Sequence, residues 1–176
     1  MRRTTPAALA LAAIAGALLA GCTPEPPAET TPPPTAEPSV SEEDARAAWE
    51  VYQQRLSELG AQPESAELED LLTVAGSDLA QDQLENMQRA ADRRIRVEGN
   101  RRTSAFEFDQ AAQSARAAVC IDVSDERVVG DEGREIETGE PRTTIARSVT
   151  FARVDGATLV TQEQEFEGPP ELNPCD

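Results

Sequence analysis

Few residues in this sequence are equipped for chemistry. It has 176 residues, three cysteines, a single tyrosine and no histidine. A histidine base, a nucleophilic triad built on one and an imidazole-ligated zinc are therefore excluded. Cys120 and Cys175 have no CxxC spacing to build a thiolate zinc site around. Tyr52 has the hydroxyl that could hold an enolate, and a carboxylate such as Asp78 or Glu107 would have to be the base. No motif joins these three. Asp122, Asp125, Glu126, Asp131 and Glu132 offer hard oxygens of the kind calcium takes. Their spacing fits no EF-hand, so no metal is expected, nor any other cofactor. Arg93, Arg94, Arg96, Arg101 and Arg102 form the one basic cluster beyond the N-terminus. An anionic polymer or an acidic partner would suit it, but with acids in surplus the expectation is a solvated, ion-paired face.

The third cysteine, Cys22, has a different setting. Arg2 and Arg3 begin a short positive region, and Pro6 to Ala20 is an uncharged run of mainly Ala and Leu. That is the length of an export signal and too short for the roughly 20 apolar residues of a spanning helix. The run ends in Leu19-Ala20-Gly21-Cys22, which resembles the lipobox of bacterial lipoproteins. The resemblance implies diacylglyceryl transfer to Cys22, cleavage before it and an acylated N-terminus, whose acyl chains contribute about 0.8 kcal/mol per buried methylene. An ordinary signal peptide whose cysteine later pairs is the alternative. With Cys22 acylated, Cys120 and Cys175 remain as an even pair in an oxidising compartment. A bridge would close a loop of about 55 residues, worth roughly 4 kcal/mol. Two free thiols are the less favoured alternative.

Three regions follow: a leader, 1–21; a lipidated cysteine and Pro/Thr-rich linker, 22–40; and one folded domain, 41–176. The linker, centred on Pro32-Pro33-Pro34, is expected to stay disordered and largely polyproline II, spanning roughly 50 Å at about 3.1 Å per residue. Losing Arg2 and Arg3 reduces 16 basic residues to 14 against 33 acids, a formal charge of −19. Bulk charge of that sign does not draw a protein to nucleic acid or an anionic lipid surface.

The domain begins with helical periodicity. Ser41 before Glu42, Glu43 and Asp44 reads as an N-cap with acids in the first turn. Ala45, Ala48, Trp49, Tyr52, Leu56 and Leu59 recur at steps of three and four, with Gly60 as the expected stop. A short helix is expected around Ala66 to Val74. A third is expected to be capped by Ser77-Asp78, with Ala80, Leu84, Met87 and Ala91 as its buried row. The period then drops to two. Ile95 and Val97, Phe106 and Phe108, and Ala117, Val119, Ile121 and Val123 mark three strands. An acidic loop over Asp125 to Pro141 follows, with Val128 and Val129 pairing locally. Two more strands, Ile145 to Val154 and Thr158 to Gln164, meet at Asp155-Gly156, a hairpin signal. Helices followed by a meander predict an α+β fold with helices on one face of a curved antiparallel sheet.

The run AAVCIDVSDERVV, the later RSVTFARVDGATLV and the closing GPPELNPC resemble small secreted or lipidated actinobacterial proteins with a cystatin-like, nuclear-transport-factor-2-like domain. The resemblance implies that fold. It also implies that the mid-strand Cys120, followed by Asp122 and Ser124, pairs with Cys175. Relatives of the fold carry a pocket between helix and sheet, which here would involve Trp49, Tyr52, Phe106 and Phe108. The expected function is a membrane-anchored, monomeric, non-catalytic binding domain on the extracytoplasmic side. Its partner would be another envelope protein or a small apolar ligand, with the bilayer held through acylated Cys22. A pocket isomerase or dehydratase, or a purely structural envelope component, is the alternative.

Overall fold

The structure is a computed structural model and describes residues 39–111, 114–136 and 142–176. The expected leader, Cys22 and nearly all of the linker lie outside the described residues, as does the 137–141 part of the acidic loop.

The first helix starts where the sequence provides a cap. Ser41 is extended and its hydroxyl accepts the Asp44 amide at 3.1 Å, with three acids in the first turn beside the exposed N–H groups. Helix α1 spans Glu42–Ala61 and buries Ala45, Trp49, Tyr52, Leu56 and Leu59 along one stripe. It runs one residue past Gly60. Gln62 stands before Pro63, a position that disfavours helical backbone, and it sits at φ −140°, ψ 64°. A 3-10 turn, Pro63–Ser65, follows.

Helix α2, Leu68–Leu72, is shorter than its apolar pattern suggests. The chain leaves it to dock on the sheet: Val74 O accepts the Val160 amide at 3.3 Å, and the Gly76 amide donates to Val160 O at 2.8 Å. Helix α3, Ser77–Asp92, has Gly76 rather than Ser77 as its N-cap. Glycine suits that close approach, because a Cβ at residue 76 would lie 3.2 Å from Thr161 Cγ2. Leu79 and Ala80 are buried, while Leu84 and Met87 are partly buried against the core.

Strand β1, Arg96–Glu98, is short and pairs with β4, Arg127–Val129, in a separate antiparallel ribbon. Val128 and Val129 also pair locally, through the Ile136 amide to Val128 O at 2.8 Å and a bridge from Val129 to Glu135. The main sheet is an antiparallel meander in the order β2-β3-β5-β6. Its strands are β2, Arg102–Ala111; β3, Ser114–Asp122; β5, Thr144–Val154; and β6, Ala157–Glu165. Register shifts at Thr103/Ala105 and Thr150/Phe151 bend it, and the curved sheet carries the helices on one face. Asp155 and Gly156 turn β5 into β6 with φ of 50° and 86°, the two positive values a type I′ hairpin demands.

The core lies between α1 and the sheet face of Ala115, Ala117, Val119, Ile121, Val149, Phe151 and Val160. Cys120 points to the other face of β3 and is covered by the C-terminal segment. There a 3-10 turn at Pro170–Leu172 leads through buried Pro174 to Cys175. Cys120 and Cys175 are disulfide-bonded, with Cα atoms 5.0 Å apart. Helices on a curved antiparallel sheet are the α+β class that the pattern predicted.

Candidate functional site

Four aromatic residues were expected near a pocket. Trp49 and Tyr52 have no exposed surface, and Phe106 and Phe108 pack against the same core. Trp49 and Tyr52 rings lie 5.6 Å apart, and Phe106 meets Phe151 at 6.1 Å. Trp49 Nε1 donates to Thr103 Oγ1 at 2.9 Å, tying α1 to β2. These side chains fill the space between α1 and the sheet.

Among the described residues, Tyr52 carries the most perturbed group. Its hydroxyl donates to Glu163 Oε2 at 2.8 Å, and Arg147 Nε stands 3.5 Å from Glu163 Oε1. Burial first, and then the Glu163 carboxylate, push the phenol well above its ordinary range; Arg101 and Gln83 pull weakly the other way. The hydroxyl is a permanent donor at any ordinary pH, and Glu163 is its acceptor. Asp78 is exposed in the first turn of α3, and Glu107 lies exposed on the sheet face opposite Phe106 and Phe108. The structure does not bring either carboxylate to Tyr52. Sequence reasoning missed Glu163 and Arg147: Arg147 is in phase with Val149 and Phe151, whereas Glu163 is three residues from Val160 and reaches the same face only through the register shift at Thr150/Phe151.

An open cleft lies at the C-terminal end of α1. Its volume is about 220 Å³, between Leu56 and Gly60 of α1, Met87 and Ala90 of α3, and Val97 of β1. Arg101 and Glu126 close one side as an ion pair, Nε to Oε1 at 2.6 Å. Arg101 Nη1 also reaches Gln53 Oε1 at 3.4 Å. Gln53 is a buried polar residue, and its Nε2 has no hydrogen-bond partner among the described residues.

Three more residues of the basic cluster are ion-paired. Arg94 meets Asp131 at 3.3 Å, Arg96 meets Glu98 at 2.8 Å, and Arg102 meets Asp125. Arg93 is exposed at the end of α3. Asp125, Glu126 and Asp131 of the expected loop are thereby engaged as acceptors. Asp122 Oδ1 accepts the Ser124 amide at 2.9 Å, and that side-chain and backbone bonding to Ser124 lowers its pKa. Glu132 stands 3.5 Å from Arg134. Among the described residues no group of three or more His, Cys, Asp or Glu side chains is placed to hold a metal ion. No described helix is long and apolar enough to cross a membrane.

The class thus defined is an α+β domain with a packed helix–sheet interior, a disulfide-latched C-terminus and a peripheral cleft. No family model matches the chain, and no curated protein matches it. Among solved structures it is similar to the intermembrane-space region of the chloroplast protein ARC6, at 10% identity over 74% of this chain and 100% of that one, with a TM-score of 0.54. That likeness shows the fold alone. A de novo designed β-sheet protein matches at 15% identity over 74% of this chain and 94% of that one, with a TM-score of 0.37.

Proposed function

We propose that the chain is an exported lipoprotein, anchored through acylated Cys22 on the extracytoplasmic side of a cell membrane, whose folded domain is a non-catalytic binding module. The resemblance to actinobacterial proteins with a nuclear-transport-factor-2-like domain belongs to the same proposal. The observation that carries it is the Leu19-Ala20-Gly21-Cys22 register behind an uncharged apolar run. The Cys120–Cys175 disulfide supports export, since such bonds persist in oxidising compartments. A binding role is supported by the cleft beside α1 and α3, which sets polar side chains around an apolar floor. The linker then holds the domain away from the bilayer, free to meet an envelope protein or a small apolar ligand.

The anchor is tested by comparing the parent with Cys22→Ser. The parent is expected in the membrane fraction with a mature N-terminus at a diacylglyceryl-modified cysteine. The variant, lacking the thioether acceptor, is expected either in the soluble fraction or unprocessed. Identical fractionation and migration of the two proteins would remove the anchor from the proposal.

A further inference from the structure

We propose that the cleft between α1, α3 and β1 binds a small uncharged amphipathic molecule, with a short apolar body and an amide-like head that both accepts and donates a hydrogen bond. The inference rests on the domain's being a binding module and is independent of the anchor.

Size comes first. At about 220 Å³ the cleft is below the roughly 300–1,000 Å³ of drug-sized sites, so its occupant is fragment-sized. The floor is aliphatic: Leu56, Met87, Ala90, Ile95 and Val97 line it without an aromatic ring. Such a floor takes a chain of a few methylenes by burying its apolar surface.

Charge comes second, and it acts in two directions. Arg101 and Glu126 line the cleft as an ion pair and Arg96 is paired with Glu98, so its wall has no surplus charge to attract a cation. The whole chain is formally −17, which opposes the approach of an anion. A carboxylate head would also sit against Glu126, and an ammonium against Arg101. A neutral head with an acceptor and a donor side by side meets neither penalty, because the Arg101–Glu126 pair itself presents a donor beside an acceptor.

The polar side of the cleft is short of acceptors for its amide donors. Gln83 and Asn86 contribute amides to the lining, and Asn86 Oδ1 is already taken by Arg89 at 2.5 Å. With its Oδ1 taken, Asn86 faces the cleft through its amide nitrogen, and a carbonyl oxygen is the partner that donor lacks.

Met87 supplies the assay. The sequence holds two methionines, Met1 and Met87, so the processed chain would carry only the one in the cleft. The full chain, held in lipid nanodiscs and labelled at the methionine methyl, is titrated by NMR with hexanamide, hexanoate and hexylamine. Hexanamide is expected to move the Met87 methyl signal saturably, with hexanoate and hexylamine about tenfold weaker or more. Ala90→Leu, which fills the cleft, is expected to abolish the response. Glu126→Gln leaves Arg101 without its counter-charge and is expected to reverse the order in favour of hexanoate, which keeps the test alive if Ala90→Leu does not fold. No saturable shift with hexanamide, equal responses to all three probes, or an unchanged preference in Glu126→Gln would each overturn the proposal. An unprocessed chain shows a second methionine signal and counts against the anchor, while the Met87 signal still reports the cleft.

Discussion

At the scale of single residues, the helix–sheet interface turns on two aromatic side chains that each carry a polar atom into the core. Tyr52 is the only tyrosine, the sequence has neither lysine nor histidine, and two of its three cysteines are bridged. With Cys22 acylated, Tyr52 is then the one side chain that would titrate near pH 10 in the unfolded chain. Its folded pKa is raised, so the unfolded state loses that proton first. The stabilisation is complete below pH 10 and is lost as pH rises above it, by about 1.4 kcal/mol per pH unit. Tyr52→Phe is expected to flatten that decline in urea midpoints while losing about 1.5–3 kcal/mol at neutral pH, the worth of a hydrogen bond to a charged group. A parent midpoint that stays constant from pH 9 to 11 would contradict the buried phenol. Trp49→Ala removes a fully buried indole and its bond to Thr103. The expected loss is about 3–5 kcal/mol, close to the total stability of a small domain. An unchanged unfolding midpoint would count against the way α1 packs.

Among the elements, those defined by local chemistry were legible and those defined by distant partners were not. The Ser41 cap, the stripe from Ala45 to Leu59 and the Asp155-Gly156 turn each depend on neighbours in sequence. The end of α2 depends instead on Val160, some 85 residues away, which takes Val74 and Gly76 out of the helical pattern. The strand at Ile95 and Val97 was legible, but its partner was not: the ribbon of β1 and β4 joins segments about 30 residues apart, where Val128 and Val129 were expected to pair only locally. The cleft draws on α1, α3, β1 and the turn after β3, so no local motif could announce it. Pairing of Cys120 with Cys175 was legible because the cysteine count left few alternatives. That bond fixes the tail: beyond β6 the Phe166 amide reaches Ala146 O at 3.3 Å, and the amides of Leu172, Asn173, Cys175 and Asp176 bond only within the tail itself. A segment so sparsely bonded frays when untied. Cys120→Ala/Cys175→Ala is expected to lose roughly 4 kcal/mol for a loop of 55 residues. Hydrogen exchange should accelerate first at Phe166, Leu172 and Asn173 while the amides of β3 stay protected. Uniform acceleration across the domain would show that the bond does more than hold the tail.

For the molecule as a whole, electrostatics sets short-range attraction against long-range repulsion. Thirty-three acids face 16 arginines, and the folded domain answers with ion pairs whose charged atoms lie within about 4 Å. Most of these pairs are exposed and individually worth about 0–1 kcal/mol. The repulsion among unpaired acids acts across the diameter of the domain and favours the expanded chain. Salt separates the two by distance. The Debye length falls from about 30 Å at 0.01 M to about 10 Å at 0.1 M. Over that range the long repulsions are screened, while pairs in direct contact remain inside the screening length. The pair between Arg101 and Glu126, the most enclosed of those in the basic cluster, is affected least. The domain is therefore expected to gain stability as sodium chloride rises from 0.01 to 0.1 M, with each 1 kcal/mol raising Tm by about 2–4 °C for a chain of this size. The effect should level off toward 1 M, where the Debye length of about 3 Å reaches the pairs themselves. A Tm that falls from the first addition of salt would mean that the contact pairs, and not the surplus acids, dominate the charge balance of the fold.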